Sequence, residues 1–456
     1  MSPAHQSVTH LLITLGVVII LTVALLGRVG ARRLNLPTVL VELLMGILIG
    51  NLFSHWGYDL MVFLREGATC GDLARLALAG ESWDEAARTV IGNGTADKII
   101  AMLRSPEGGM YLQVAQALDL FTNYGVMFVL FLVGLRTHLS EVPRLGRQPF
   151  NVAVIGAIAP MVLGFIVVTV LDPATSREGH IFIAATLGTT GVAVTALALG
   201  KLKRMHSSEG EIIFKAAAID DVIGLVMLAI VSGMAVTGSV APEDMGRTFL
   251  HASLFLICAF GLGPSFLKLL ARIMKRFDVL EAKLFVSFIL AMVLIVLANI
   301  ISLSPTVAAF AAGLLMHDSY FRSWGDYHQD EHTVRELFAP LEVIIVPAFF
   351  VLMGIQVKLE LLFDWSVLYL TLGVLGAALT GKWVSGLGAG RGTQRLTVGF
   401  GMTPRGEVGL AFAFIGKTLG VINATMFAVI VVVVVLTTLL TPVLLHMSAR
   451  NTRGAD

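Results

Sequence analysis

Long apolar runs separated by short polar breaks dominate this chain. About 20 apolar residues cross a bilayer as a helix, because hydrocarbon holds no water to satisfy exposed backbone groups. At that length the pattern predicts thirteen spans, at roughly 8–27, 37–52, 119–135, 150–171, 180–199, 211–236, 248–270, 280–302, 304–317, 339–357, 365–388, 396–416 and 423–447. The second and ninth are short for a full crossing. The expected fold is therefore an all-α polytopic membrane protein of about 13 transmembrane helices.

The basic residues orient these spans, since cytoplasmic loops are enriched in Lys and Arg. With the N-terminus outside and the C-terminus cytoplasmic, the inside loops hold twenty Lys and Arg, Arg136 among them, and the short outside loops only Arg177, Arg247, Lys358 and Lys417. No basic stretch or small-residue cleavage pattern accompanies the first apolar run, which reads as a retained helix. Residues 448–456 form a short cytoplasmic tail.

Two pieces of the chain echo each other. Pro37-Thr38-Val39 followed by Gly46-Ile47-Leu48 resembles Pro305-Thr306-Val307 followed by Gly313-Leu314-Leu315. Leu132-Val133-Gly134-Leu135 with Leu139 resembles Leu352-Met353-Gly354-Ile355 with Leu359. The first pair lies in spans two and nine, an odd number apart, so the copies have opposite topology. Inverted repeats place a transport site at the midplane between halves. Repeat one covers about 8–236, a linker helix 248–270 and repeat two about 280–447, within a transmembrane domain of 1–52 and 119–447. Pro37 to Gly134 is 97 residues where Pro305 to Gly354 is 49, so the first copy carries an extracytoplasmic insertion, bounded at 53–118. The insertion has helix-like stretches at 72–78 and 83–91 and a sequon at Asn93-Gly94-Thr95, a triplet common by chance.

Composition agrees with the pattern: 56% of the 456 residues are hydrophobic and 14% charged, against about 25% charged in a soluble domain. A net charge of +1 gives no case for a nucleic-acid partner. Cys70 and Cys258 lie in unlike surroundings, which predicts neither a disulfide nor a metal site.

Against this apolar background, charged residues inside spans are the candidates for chemistry, because each costs about 2.5–3.5 kcal/mol even on lenient scales. Asp220 and Asp221 fall near the middle of span six, about 100° apart around the helix, and so face different neighbours. Lys382 lies within span eleven beside small residues that allow close helix approach. Arg405 and Glu407 lie in span twelve around Pro404 and Gly406, which break the helix. Gly188-Thr189-Thr190-Gly191 interrupts span five at a similar depth. Two discontinuous helices in corresponding halves point to a midplane site. Their exposed ends carry dipoles that charge can balance: Glu407 at N-terminal ends, Lys382 or Arg405 at C-terminal ends. An Arg405–Glu407 pair holding the broken helix in shape is a complementary reading. Glu42 and Glu342, near span ends, are hydrated or line a cavity. His317, His328 and His332 cluster near acids in an inside loop, where solvated histidines are commoner than pH sensors.

Together these residues resemble the monovalent cation:proton antiporter superfamily in its second branch, which includes bacterial thirteen-helix sodium/proton antiporters and, more distantly, Kef potassium/proton antiporters. The resemblance rests on Ala218-Ile219-Asp220-Asp221-Val222-Ile223-Gly224-Leu225, Gly381-Lys382 and Pro404-Arg405-Gly406-Glu407-Val408-Gly409-Leu410, and covers almost the whole chain outside the insertion. It implies two crossed discontinuous helices, a homodimer in the lipid of a bacterial inner membrane, and a secondary transporter, not an enzyme, with no cofactor. It implies that Asp221 is the Na⁺ and proton ligand, that Asp220 pairs with Lys382, and that Thr189 and Thr190 lie beside the ion. The cargo would be Na⁺ (or Li⁺ or K⁺) and H⁺. Kef transporters usually have Gln-Asp at this position and carry a nucleotide-binding domain, whereas this chain has Asp-Asp and ends soon after span thirteen, so sodium is favoured. The alternative is a potassium/proton antiporter without a regulatory nucleotide-binding domain. An intramembrane aspartyl protease, with acids on two facing helices, and a channel or sensor have no supporting motif.

Overall fold

The computed structural model describes residues 3–56, 93–105, 108–137, 146–237, 242–301, 303–321 and 332–450, with scattered positions between 57 and 92. Cys70, His328, most of the stretches 72–78 and 83–91, and tail residues 451–456 lie outside the described residues. Among the described residues the chain is helical throughout. In order, the helices are α1 (Pro3–Leu34), α2 (Thr38–His55), α3 (Asn93–Arg104), α4 (Gly108–Arg136), α5 (Arg147–Leu171), α6 (Arg177–Gly188), α7 (Val192–Lys201) and α8 (Ser208–Thr237). They continue with α9 (Pro242–Ile273), α10 (Val279–Ile300), α11 (Pro305–Leu315), α12 (Val334–Ile355), α13 (Trp365–Ser385), α14 (Arg395–Gly401), α15 (Glu407–Thr418) and α16 (Ala424–Arg450).

Local sequence explains several starts. The Ser176 hydroxyl accepts from Gly179 N at 3.1 Å, and Asp278 and Asp364 accept from Leu280 N at 3.3 Å and Ser366 N at 2.8 Å, each satisfying a donor that the first turn leaves orphaned. Pro305 opens α11, where its missing N–H costs nothing. Among the described residues ten helices are long and apolar enough to cross a membrane by length and composition, and they coincide with ten of the thirteen predicted spans. The other three predicted spans have distinct local features. Span six is the 30-residue α8, which carries Asp220 and Asp221 in its apolar part; span nine (α11) is 11 residues; span twelve is broken into α14 and α15. Span three is longer than expected, since α4 starts at Gly108 within the segment read as insertion.

The chain divides into two compact units: residues 1–126 with 343–359, and residues 127–342 with 360–456. In the first, α2 crosses the end of α12 glycine on glycine. A side chain at Gly46 would strike Val351 O and, at 3.0 Å, Gly354 Cα. Around the crossing, Ile20, Val23 and Ala24 of α1 pack on Ala348, Val351 and Leu352 of α12. Asn51 fixes one edge, donating to Val357 O at 2.9 Å and accepting from Leu359 N at 3.1 Å and Arg65 Nη2 at 3.0 Å. Beside it Glu66 pairs with Lys358, both nearly buried. Glu42, expected to be hydrated or to line a cavity, is instead 1% exposed with Arg28 Nε at 3.8 Å, because α1 runs directly over α2 and covers it.

In the second unit, Gly134 of α4 meets Gly313 of α11, each Cβ position falling 3.0 Å from the other's Cα. This is the reciprocal of the Gly46–Gly354 crossing. The equivalence extends to the backbone, where Thr137 N donates to Gly134 O at 3.1 Å and Val357 N to Gly354 O at 3.0 Å. The rest of the unit is built on α5, packed against α13, α6 and α8. Gly381 of α13 lies on Pro160 of α5, so the two helices approach at backbone distance and Lys382 is carried into the interior. His332 is exposed and lies 3.4 Å from Glu336, while Lys283 anchors that loop by donating to His332 O at 2.8 Å.

Candidate functional site

The two breaks cross each other. After α6 the chain is extended at Thr189 and Gly191 before α7 begins, and after α14 it turns at Met402 and leaves the helix over 403–406, extended at Gly406, before α15 begins. Gly191 N donates to Pro404 O at 2.7 Å, and a Cβ on Gly406 would sit 2.6 Å from Gly191 Cα. Only glycine at both places lets the backbones touch. Four half-helix ends thus meet inside the unit, with orphan carbonyls at the end of α6 and orphan N–H groups at the start of α15.

Two buried cations take the carbonyl end. Lys382 Nζ donates to Gly188 O at 2.6 Å, Thr190 Oγ1 at 2.7 Å and Asp220 Oδ2 at 3.5 Å. Three ammonium hydrogens meet three acceptors, which satisfies the charged form completely. Arg405, 2% exposed, donates from Nη1 to Thr189 O at 2.5 Å and from Nη2 to Ala378 O at 3.3 Å, and Thr438 Oγ1 donates to Arg405 O at 3.0 Å. The expected Arg405–Glu407 pair is therefore replaced: Arg405 turns towards the end of α6, while Glu407, in the first turn of α15, pairs with Arg136. Their charges point opposite ways because the crossing presents a negative helix end on one side and a positive one on the other. Thr189 Oγ1 donates within its own helix, to Thr186 O at 3.0 Å.

The two aspartates separate as their 100° offset predicts. Asp220, with a side chain 1% exposed, lies with Lys382 in the interior, beside a space too small for a water. Asp221 is only half-buried. Its Oδ2 accepts from Thr137 Oγ1 at 3.3 Å, and Asp220, Glu407, Arg136 and Lys382 are charged groups within its electrostatic reach. Thr137, Arg136 and Glu342 are site neighbours that sequence reasoning missed or ranked low. Thr137 had a legible signal: it follows the Gly134 motif at the position where the other repeat has Val357, so a polar residue replaces an apolar one in only one copy.

Crossed discontinuous helices with a buried carboxylate–ammonium pair and one accessible carboxylate define a polytopic secondary transporter, not an enzyme. The family model of the transmembrane sodium/hydrogen exchanger domain matches residues 17–448, and the chain belongs to that family. It is 30% identical over 444 residues to the high-affinity Na⁺/H⁺ antiporter NhaS3 of Synechocystis, covering 94% of this chain and 88% of that one. It is 26% identical to the Na⁺/H⁺-K⁺ antiporter GerN of Bacillus cereus, over 76% of this chain and 87% of the relative. The sodium proton antiporter MjNhaP1 of Methanocaldococcus jannaschii shares the fold, with a TM-score of 0.61 at 16% identity over 96% of both chains. The chain is thus a multi-pass membrane antiporter that couples proton movement to monovalent cation exchange.

Proposed function

We propose that this protein exchanges Na⁺ or Li⁺ for protons, with Asp221 as the shared ligand and Asp220 and Lys382 as a coupled charge pair. The observation that carries this reading is the split between neighbours: Asp221 is half-buried, while Asp220 and Lys382 are sealed together at the crossing. A carboxylate removed from bulk water needs either a proton or a cation, so the two cargoes exclude each other at Asp221. A protonated Asp221 can donate to Thr137 Oγ1 while that hydroxyl donates to Val133 O, 3.0 Å away. An ionised Asp221 and the Val133 carbonyl must instead share one hydroxyl hydrogen, which leaves the carboxylate in want of a cation.

Lys382 supplies the second coupling element. Loss of one proton leaves two hydrogens for three acceptors, and the 3.5 Å contact to Asp220 is the weakest of the three. Asp220 is then released towards the cation. If both Asp221 and Lys382 cycle, two protons exchange for one cation and the membrane potential contributes about 2.3 kcal/mol per net charge per 100 mV. If Lys382 stays charged, exchange is one for one and electroneutral. Alternating access moves a core of spans 4–6 and 11–13 against a dimerising scaffold of spans 1–3 and 8–10, in a bacterial inner membrane with the N-terminus outside. The alternative cargo, K⁺, is favoured by no observation at the site.

The test is proton flux in reconstituted vesicles during pulses of Na⁺, Li⁺ and K⁺ across pH. Exchange dependent on Na⁺ or Li⁺ that Asp221→Asn abolishes supports the assignment. Retained exchange in that variant refutes it.

A further inference from the structure

Arg136, the last residue of α4, directly precedes the threonine that bonds Asp221. Its guanidinium forks: Nη2 lies on Glu342 Oε1 of α12, and Nη1 is 3.3 Å from Glu407 Oε1 of α15. Unlike the buried Asp220–Lys382 pair, these side chains reach solvent, being 36%, 27% and 24% exposed. Among the described residues, the accessible side of the site thus gathers three acids (Asp221, Glu342, Glu407) around one guanidinium. The buried side holds Asp220 with Lys382 and Arg405. Among the described side chains of this group, the three acids outnumber the one guanidinium.

We propose that Arg136 is a tethered counter-cation at the mouth of the Asp221 site, held partly aside by Glu342, and that it competes there with the transported cation. This rests on the assignment of Asp221 as the cation ligand. A guanidinium never loses its charge in proteins and spans two carboxylates at once, so it acts as a permanent occupant whose position, not whose protonation, is adjustable. Glu407 sits in the first turn of α15, where the helix end favours its negative charge, and it lies within electrostatic reach of Asp221. A cation approaching Asp221 meets this carboxylate with Arg136 already on it. Glu342 draws the guanidinium the other way. The Arg136–Glu342 contact therefore tunes cation affinity without touching the cation, and Arg136 and Glu342 are positioning residues.

Opposite signs follow for the two single substitutions. Arg136→Gln removes the competitor and lowers the apparent KM for Na⁺ by about three- to tenfold, more than it changes kcat. Glu342→Gln frees Arg136 to settle on Glu407 and Asp221 and raises KM by a similar factor. The double variant behaves like Arg136→Gln, because Glu342 acts only through the arginine. Arg136→Lys keeps the charge but cannot bridge two carboxylates, and gives an intermediate KM. These constants are measured by titrating Na⁺ against proton flux in vesicles, with protein amounts normalised. A merely structural bridge would lower kcat in both singles without opposite KM shifts, and that result overturns the proposal. So does a Glu342→Gln effect that survives in the Arg136→Gln background. Should Arg136→Gln fail to accumulate, Arg136→Lys and Glu342→Gln must still shift KM in opposite directions. Failure of the Asp221 assignment is seen separately, as exchange retained in Asp221→Asn, whereas failure here is an unchanged KM in variants that exchange normally.

Discussion

Gly191→Ala tests the crossing most directly. The backbone at Gly191 has φ −104° and ψ 103°, which alanine adopts freely, so any damage comes from space and not from dihedral strain. The added methyl would fall on Gly406 N and Cα and lie 2.8 Å from the Arg405 carbonyl carbon. All three are backbone atoms and none can swing aside. Ordinary carbon contacts are about 3.5–4.0 Å, so the two extended segments must separate by roughly 1 Å. That separation breaks the 2.7 Å bond from Gly191 N to Pro404 O and stretches the 2.5 Å bond from Arg405 to Thr189 O. Overpacking costs about 1–3 kcal/mol and an unmade buried hydrogen bond about 1–3 kcal/mol more, so the expected loss is about 2–6 kcal/mol. Gly224→Ala is the control. It lies one turn from Asp220 on α8, yet its new methyl would meet only Thr189 Cγ2 at an ordinary 3.7 Å. Detergent-solubilised protein is melted under size-exclusion chromatography and vesicle exchange is measured in parallel. Gly191→Ala should lower the melting temperature and abolish exchange, while Gly224→Ala leaves the melting temperature within error. Wild-type stability and exchange in Gly191→Ala would refute the backbone contact, and equal damage from both alanines would refute its specificity.

Two further outcomes test other parts of the structure. On the two-proton reading, in which Lys382 cycles, Lys382→Gln removes the second proton carrier, so exchange under an imposed potassium diffusion potential should lose its voltage dependence, worth about 2.3 kcal/mol per charge per 100 mV; undiminished voltage dependence contradicts that reading. Lys358→Met takes the ammonium from the nearly buried Glu66 carboxylate and should lower the melting temperature, with partial recovery when Glu66→Gln is added; equal damage in the single and the double variant would show that the ion pair is not the cause.

The parts of this fold that show in the sequence are those where burial makes a residue expensive. Asp220, Lys382 and Arg405 stand out because hydrocarbon tolerates charge only with a partner, and the structure finds each of them bonded at the crossing. The glycine repeats show because close helix approach forbids a side chain, and they become reciprocal crossings. What stays hidden is direction. Composition places Arg405 and Glu407 two residues apart and suggests a pair, but the crossing presents carbonyls to one and N–H groups to the other, which sends them apart. Arg136 is hidden for another reason: by charge it is one of many basic residues that orient the chain, and only the fold folds it back over Glu407.

The repeats are symmetric where packing decides and asymmetric where chemistry does. Gly134 and Gly354 make equivalent crossings, and the residue three positions on closes the same backbone bond in both. In one copy that residue is Val357, and its neighbour Lys358 is tied to Glu66 from the segment that only the first repeat possesses. In the other it is Thr137, and the neighbour before it, Arg136, reaches Glu342 and Glu407 beside Asp221. One copy thus carries a nearly buried ion pair, and the other, among the described residues, an arginine between two partly exposed acids. The two equivalent helix ends thus differ in charge, which is why the cation affinity proposed for Asp221 should respond to Arg136 and Glu342 and be indifferent to charge-neutral changes of the Glu66–Lys358 pair.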